Sequence, residues 1–207
     1  MFVGELIRKA DDADLVYLLN SGEFRKAKSL GFQEYPGFPM HEQIHENVLF
    51  AFMKRLPPRS RGDFGKYLDS LRIRKDAEIS NFALLGYSGA KLPDDDFTVI
   101  HPFENAIPPF ELLLHVQGYC YYADRLPFDS ITLEQKATFQ AEPENEFDPK
   151  AVKILIDGIH SGYVCRGLIG SFHKWFGMGY KINASIEKKN GTAEQPEIYL
   201  FVSLTMS

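Results

Sequence analysis

The sequence predicts an α+β protein in two parts: a mixed α/β domain over residues 1–105, then a small β-barrel carrying one helix over 106–207. Three observations carry this expectation. Apolar residues recur at helical spacing between Val48 and Gly86, after two short β-compatible runs. Beyond Phe110 the pattern changes to six β-compatible stretches and a single helical one. Between the two regimes, His101 to Pro109 holds Pro102, Pro108 and Pro109 and reads as a linker.

In the first part, Phe2–Leu6 and Leu15–Leu19 are the β-compatible runs, and Asp11-Asp12-Ala13-Asp14 between them suggests an acidic hairpin connection. A punctuated loop follows, with Gly31, Pro36, Gly37 and Pro39 set among Phe32, Tyr35 and Phe38. Such rings are expected to pack onto the domain. Asn47 is placed to cap a helix carrying Val48, Leu49, Phe52 and Met53 on one side, ending before Pro57-Pro58. Asp63 is placed to cap a second, with Phe64, Tyr67, Leu68 and Leu71 on its buried face. A third helix runs from about Ile79 to Gly86, and Phe97–Ile100 reads as a closing strand.

Arg55, Arg59, Arg61, Arg72, Arg74 and Lys75 surround these helices, a pattern that suits a phosphate or an acidic partner. Asp63, Asp69, Asp76 and Glu78 interleave with them and favour a solvated face of mixed charge. The triplet Asp63-Phe64-Gly65 spells a kinase metal-binding motif. Neither an upstream ATP-gripping lysine nor a catalytic loop accompanies it, so it reads as a helix start. Asp94-Asp95-Asp96 lacks the ligand spacing of a calcium loop and reads as an exposed acidic turn.

The composition excludes several classes. Apolar residues at 44% and charged ones at 25% are ordinary for a folded domain and argue against disorder. Twenty-three Lys and Arg against 28 Asp and Glu leave a net charge of −5, which argues against a broad nucleic-acid-coating surface and leaves room for a small local site. Cys120 and Cys165 form no CxxC pair, the N-terminus lacks a secretory pattern, and no apolar run is long enough to span a bilayer. The expectation is a cytoplasmic protein with reduced thiols and no membrane partner.

In the second part, Phe110–Tyr122 is the longest strand candidate, with Leu112, Leu114 and Val116 on one face and Gly118 allowing a bend. Lys136–Ala141, Ala151–Asp157, Ile159–Val164, Lys181–Lys188 and Ile198–Met206 supply further strands. One helix is expected over Arg166–Phe176, with Phe172, Trp175 and Phe176 as an aromatic face. The order of elements suits a small barrel or strongly curved sheet of OB-like character. Asn190-Gly191-Thr192, although a glycosylation sequon in form, reads as the start of a hairpin loop.

The most specific stretch runs from Glu142 to Arg166, EPENEFDPKAVKILIDGIHSGYVCR. Pro143 and Pro149 break helix, Asn145 and Asp148 can fold back on their own backbone, and Asp157-Gly158 marks a hairpin. This stretch resembles the HIRAN domain, a module found alone in bacteria and attached to eukaryotic DNA-remodelling ATPases. The resemblance rests on Glu142, Pro143, Asn145, Asp148, Ala151, Val152, Gly162, Tyr163, Val164 and Arg166, with Gly118 and Tyr121-Tyr122 upstream, and spans the chain from about Pro109 onward.

The resemblance implies an OB-like fold and recognition of the 3′ end of single-stranded DNA. Carried over by position, Tyr121 and Phe147 would stack on terminal bases and Asp148 would meet the 3′-hydroxyl. Tyr122, Lys150, Lys153, Tyr163 and Arg166 would line base edges and phosphates. Rings grip an unpaired base without reading its identity, and a carboxylate accepts from a hydroxyl while repelling phosphate. Phe147 stands where the family often has tyrosine. Cys120 stands where the animal remodeller has arginine, which removes a bidentate phosphate donor.

The segments RLPPRSRGDFGKYLDSL and FALLGYSGAKLPDDDF resemble the N-terminal region of HipA-type proteins, without the kinase body that would follow. His115, His173, Cys120 and Cys165 lack zinc-ligand spacing, and no nucleophile, base and orienting group form a set. No catalytic residue, metal or cofactor is therefore expected. The sequence points to a non-enzymatic DNA-end-binding module, a HipA-type kinase or a DNA-processing protein being a further partner. The alternative is a regulatory or antitoxin-like bacterial protein that partners such a kinase.

Overall fold

The computed structural model describes residues 1–92, 95 and 97–206. The chain divides into two compact units, Met1–His101 and Pro102–Ser207. Of the acidic triplet, Asp94 and Asp96 lie outside the described residues.

The first unit is built on a three-stranded antiparallel sheet, β1 (Gly4–Arg8), β2 (Ala13–Tyr17) and β3 (Ile44–His45), in that order. Among the described residues four helices accompany it: α1 (Gly22–Ser29), α2 (Leu49–Met53), α3 (Phe64–Ser70) and α4 (Asn81–Ser88). Helix α1 and strand β3 occupy a region expected to be loop. The signal for α1 was present: Ser21 accepts from the Phe24 N–H as its N-cap, Glu23 sits in the first turn, and Lys26 and Lys28 sit in the last. Leu15, Tyr17, Phe24, Phe52, Leu68, Leu84 and Leu85 form the core, and Phe32, Tyr35 and Phe38 pack against it as the sequence suggests.

Capping departs from the expected residues for reasons of tertiary contact. Asn47 is not the cap of α2 but lies in the left-handed region at φ 57°. The first N–H of α2, on Leu49, donates to Asp12 Oδ1 at 2.9 Å, so the acidic connection between β1 and β2 caps a helix 37 residues away. Asp63 precedes α3 but makes no side-chain cap bond; its carboxylate pairs with Arg61. Ser80 caps α4 through the Ala83 N–H. Phe97–Ile100 is not a strand, although the Val99 N–H donates to the Gly89 carbonyl.

Most of the basic patch is paired with carboxylates. Arg61 pairs with Asp63, Arg74 with Asp76 and Lys75 with Asp69, and Arg59 bonds Asn81 and the Ile79 carbonyl. Arg55 leaves the surface altogether: its guanidinium is buried and meets Tyr35 Oη, the Ala90 and Phe97 carbonyls, and Asp95. A buried guanidinium needs this full set of acceptors, which makes Arg55 a structural clamp.

The second unit is a six-stranded antiparallel sheet: β4 (Phe110–His115), β5 (Lys136–Ala141), β6 (Val152–Ile156), β7 (Ile159–Tyr163), β8 (Lys181–Gly191) and β9 (Pro196–Thr205). Its order is β4-β9-β8-β5-β6-β7, so it is open rather than a closed barrel. Among the described residues the edges β4 and β7 do not pair as strands, and a single bridge beyond the end of β4, between Gln117 and Tyr163, joins them. Irregular register between Ile154 and Leu155 and between Ile186 and Lys188 adds the local twist that bends the sheet.

Alternation fills the inner face with Leu112, Leu114, Val116, Val152, Ile154, Ile156, Ile198, Leu200, Val202 and Leu204, all buried. Helix α5 (Arg166–Gly177) presents Leu168, Ile169, Phe172 and Trp175 as its buried stripe; Phe172 and Phe139 rings meet at 4.7 Å. Each such side chain contributes about 1.5–3 kcal/mol on burial. Ser171 and Lys174 of α5 donate to the Pro102 and Glu104 carbonyls, which holds part of the stretch read as a linker along the helix.

Candidate nucleic-acid interface

The first strand is shorter than its apolar pattern suggests, and this shapes the site. β4 stops at His115, and Gly118, at φ +72°, turns the chain into a short 3-10 turn over Tyr119–Tyr121. Tyr119 is buried and donates to the Leu126 carbonyl, anchoring the turn. Tyr121 is thereby pushed outward and is 82% exposed. Tyr122 turns back over β7, its ring 4.2 Å from that of His160 and 6.0 Å from that of Tyr163.

The second segment is an Asx turn. Asn145 Oδ1 accepts from the N–H groups of Phe147 and Asp148, both at 3.0 Å, and Asp148 Oδ1 accepts from the Lys150 N–H. This fold-back leaves Phe147 82% exposed. Asp148 Oδ2 lies 3.9 Å from the Arg166 guanidinium at the start of α5. Lys150 is exposed, and its carbonyl accepts from His173 Nε2.

A hydrogen-bonded chain joins the two segments. Tyr122 Oη donates to Tyr163 Oη at 3.2 Å, and Tyr163 Oη donates to Glu142 Oε2 at 2.9 Å. Asn145 Nδ2 donates to Glu142 Oε2 at 2.8 Å and to Tyr163 Oη at 3.2 Å, while Lys153 Nζ stands 3.8 Å from Glu142 Oε1. One amide therefore holds the Phe147 turn with its oxygen and the Tyr122–Tyr163 pair with its nitrogen. Gln117 and Tyr163 exchange both backbone bonds at 2.9 Å, fixing the same junction from the main chain.

Electrostatics follow from this packing. The Tyr163 hydroxyl is pushed far above its ordinary range, first by burial and then by its bonds to Tyr122 and Glu142, so it serves as a neutral donor. Burial holds His160 below its ordinary value, and its Nε2 has no hydrogen-bond partner among the described residues. Glu142 is held below its ordinary 4.5, chiefly by the Asn145 amide and then by Tyr163, Lys153 and His160 against the cost of burial. The folded carboxyl thus releases its proton more readily than the unfolded one. Its contribution to stability is complete above pH 4.5 and is lost as pH falls through the folded value. Glu142→Gln is expected to flatten the acid limb of a melting-temperature–pH profile while leaving its shape above pH 6 unchanged; an identical acid limb would refute this role.

The structure places Tyr121, Tyr122, Phe147, Asp148, Lys150, Lys153, Tyr163 and Arg166 as follows. Tyr121 and Phe147 are presented outward; Tyr122, Lys153 and Tyr163 are half-buried and tied to Glu142; Asp148 and Arg166 face each other; Lys150 is exposed. Sequence reasoning missed the organising residues Glu142, Asn145 and His160 as members of the site. The signal for the first two lay in the EPxN spacing, since Asn145 three residues after Glu142 suits both an Asx turn and a local side-chain bond. His160 carried no such signal.

Cys120 is exposed beside Tyr121, whereas Cys165 is half-buried and its thiol is pushed up to about 11 by desolvation. Among the described residues no cluster of His, Cys, Asp or Glu is arranged to hold a metal ion, and no helix is long and apolar enough to cross a membrane.

No protein-family model and no curated protein matches the chain. Two solved structures are similar to part of it. The HIRAN domain of human HLTF aligns at 20% identity and a TM-score of 0.38, covering 45% of this chain and 74% of that one. A protein from Lactobacillus plantarum aligns at 16% identity and a TM-score of 0.36, covering 44% and 89%. Neither bears on the resemblance of the first unit to HipA-type proteins. These are partial likenesses.

Proposed function

We propose that the second unit binds the 3′ end of an unpaired DNA strand. The observation that carries this reading is the presentation of Tyr121 and Phe147, each 82% exposed, by two segments that one half-buried hydrogen-bonded chain locks together. Large rings left in water on a fixed backbone suit stacking on unpaired bases, which tolerates any sequence. Asp148 keeps Oδ2 available to accept from a sugar hydroxyl, because Oδ1 is engaged by the Lys150 N–H. Arg166 and Lys150 supply positive charge for the phosphates preceding that sugar. With a net charge of −5 the affinity is modest and the salt dependence shallow.

Fluorescence anisotropy with oligonucleotides bearing a free or a phosphorylated 3′ end tests this. The free end is expected to bind about tenfold more tightly, a hydrogen bond to a charged group being worth about 1.5–3 kcal/mol. Asp148→Asn, which keeps the acceptor for the Lys150 N–H, is expected to reduce that preference. Equal affinity of the unsubstituted protein for both ends would dispose of the reading.

A further inference from the structure

The segment from Glu142 to Asp148 carries four carboxylates, Glu142, Glu144, Glu146 and Asp148. Two of them have a cation beside them: Lys153 stands 3.8 Å from Glu142 and Arg166 stands 3.9 Å from Asp148. Glu144 and Glu146 are exposed and form no ion pair among the described residues. They stand on either side of Asn145, whose carbonyl oxygen fixes the turn, and Glu146 immediately precedes the exposed Phe147 ring. The uncompensated negative charge of this turn therefore lies on exposed residues.

We propose that Glu144 and Glu146 are specificity determinants of the strand-end site, an inference that rests on the reading above. Asp148 can select a hydroxyl by hydrogen bonding, but Arg166 offsets much of its charge, so the field that rejects phosphate beside Phe147 comes from the two unpaired glutamates. A strand that continues past the site, or ends in a phosphate, places a further anion against them. A strand ending in a hydroxyl does not. Each unpaired carboxylate about 7 Å from a phosphate in water lowers affinity about threefold, and the pair together about sevenfold before screening. Screening by salt, with a Debye length of about 10 Å at 0.1 M, reduces this progressively.

The test is the double variant Glu144→Gln/Glu146→Gln against the unsubstituted protein, using three fluorescent probes: an oligothymidine with a 3′-hydroxyl, the same strand with a 3′-phosphate, and a circular oligothymidine without ends. The variant is expected to gain about threefold to sevenfold in affinity for the phosphorylated and circular probes and less for the hydroxyl-ended one, at low salt. That gain is expected to shrink as salt is raised toward 1 M, which a merely structural role would not produce. If the unsubstituted protein prefers the free 3′ end and the double variant keeps the same preference at low salt, this proposal falls and the strand-end reading stands. If neither protein binds any probe, both fall. Loss of all binding in the variant alone would also overturn the proposal, because it would make the two glutamates supports of the site.

Discussion

Gly162→Ala is expected to destabilise the second unit by about 3 kcal/mol, combining overpacking with a backbone conformation that L-residues avoid. Gly162 adopts φ +144°, and a Cβ added there would lie 2.6 Å from the Gln117 carbonyl oxygen and 2.7 Å from Val116 Cγ1. Neither neighbour can yield cheaply: Val116 is buried, and the Gln117 backbone is engaged with Tyr163. Relief would require β7 to move away from the chain that follows β4, breaking the one bridge between the two sheet edges. Because Tyr163 belongs to that bridge and also holds Tyr122 and Glu142, the same substitution is expected to remove binding. Urea denaturation gives the first effect and anisotropy the second. An unchanged denaturation midpoint would show that the close approach is relieved at little cost.

Tyr121→Ala and Phe147→Ala are expected to do the opposite: leave stability within about 0.5 kcal/mol and weaken single-strand binding by about tenfold or more each. Both rings are 82% exposed, so truncation removes little burial. The backbone of each segment is held by other groups, the Tyr119 anchor on one side and the Asn145 turn on the other, so loss of the ring does not move its neighbours. Phe147→Tyr is expected to bind as the unsubstituted protein does, since stacking needs the ring and not a hydroxyl. Binding that survives both alanine substitutions unchanged would remove stacking from the mechanism.

The contrast between these predictions reflects how much of the molecule can be read locally. Strands β5 to β9 and helix α5 follow from short-range alternation and helical spacing, and they form within a few residues of the expected positions. The Asx turn at Asn145 is equally local, since its partners are two and three residues away. Of the two expected forms, a small barrel or a strongly curved sheet, the barrel gives way to an open sheet because closure depends on how far strand coiling brings β4 toward β7, a property of the whole sheet. The long strand expected over Phe110–Tyr122 ends early although its apolar pattern continues: Gly118 takes a left-handed conformation, open to glycine without steric cost, and the chain turns there to bury Tyr119.

By itself the sequence determined the kinds of element, the turn that presents Phe147, and the acidic balance that limits any nucleic-acid site to a few contacts. Tertiary structure decided which polar groups meet: Arg55 buried among carbonyls, Asp12 capping a helix 37 residues away, and Tyr122 joined through Tyr163 and Glu142 to Asn145. The division has a physical basis. Backbone preference and hydrophobic period act over a few residues and leave their trace in spacing, whereas a hydrogen bond between distant side chains depends on chain geometry that no single segment encodes.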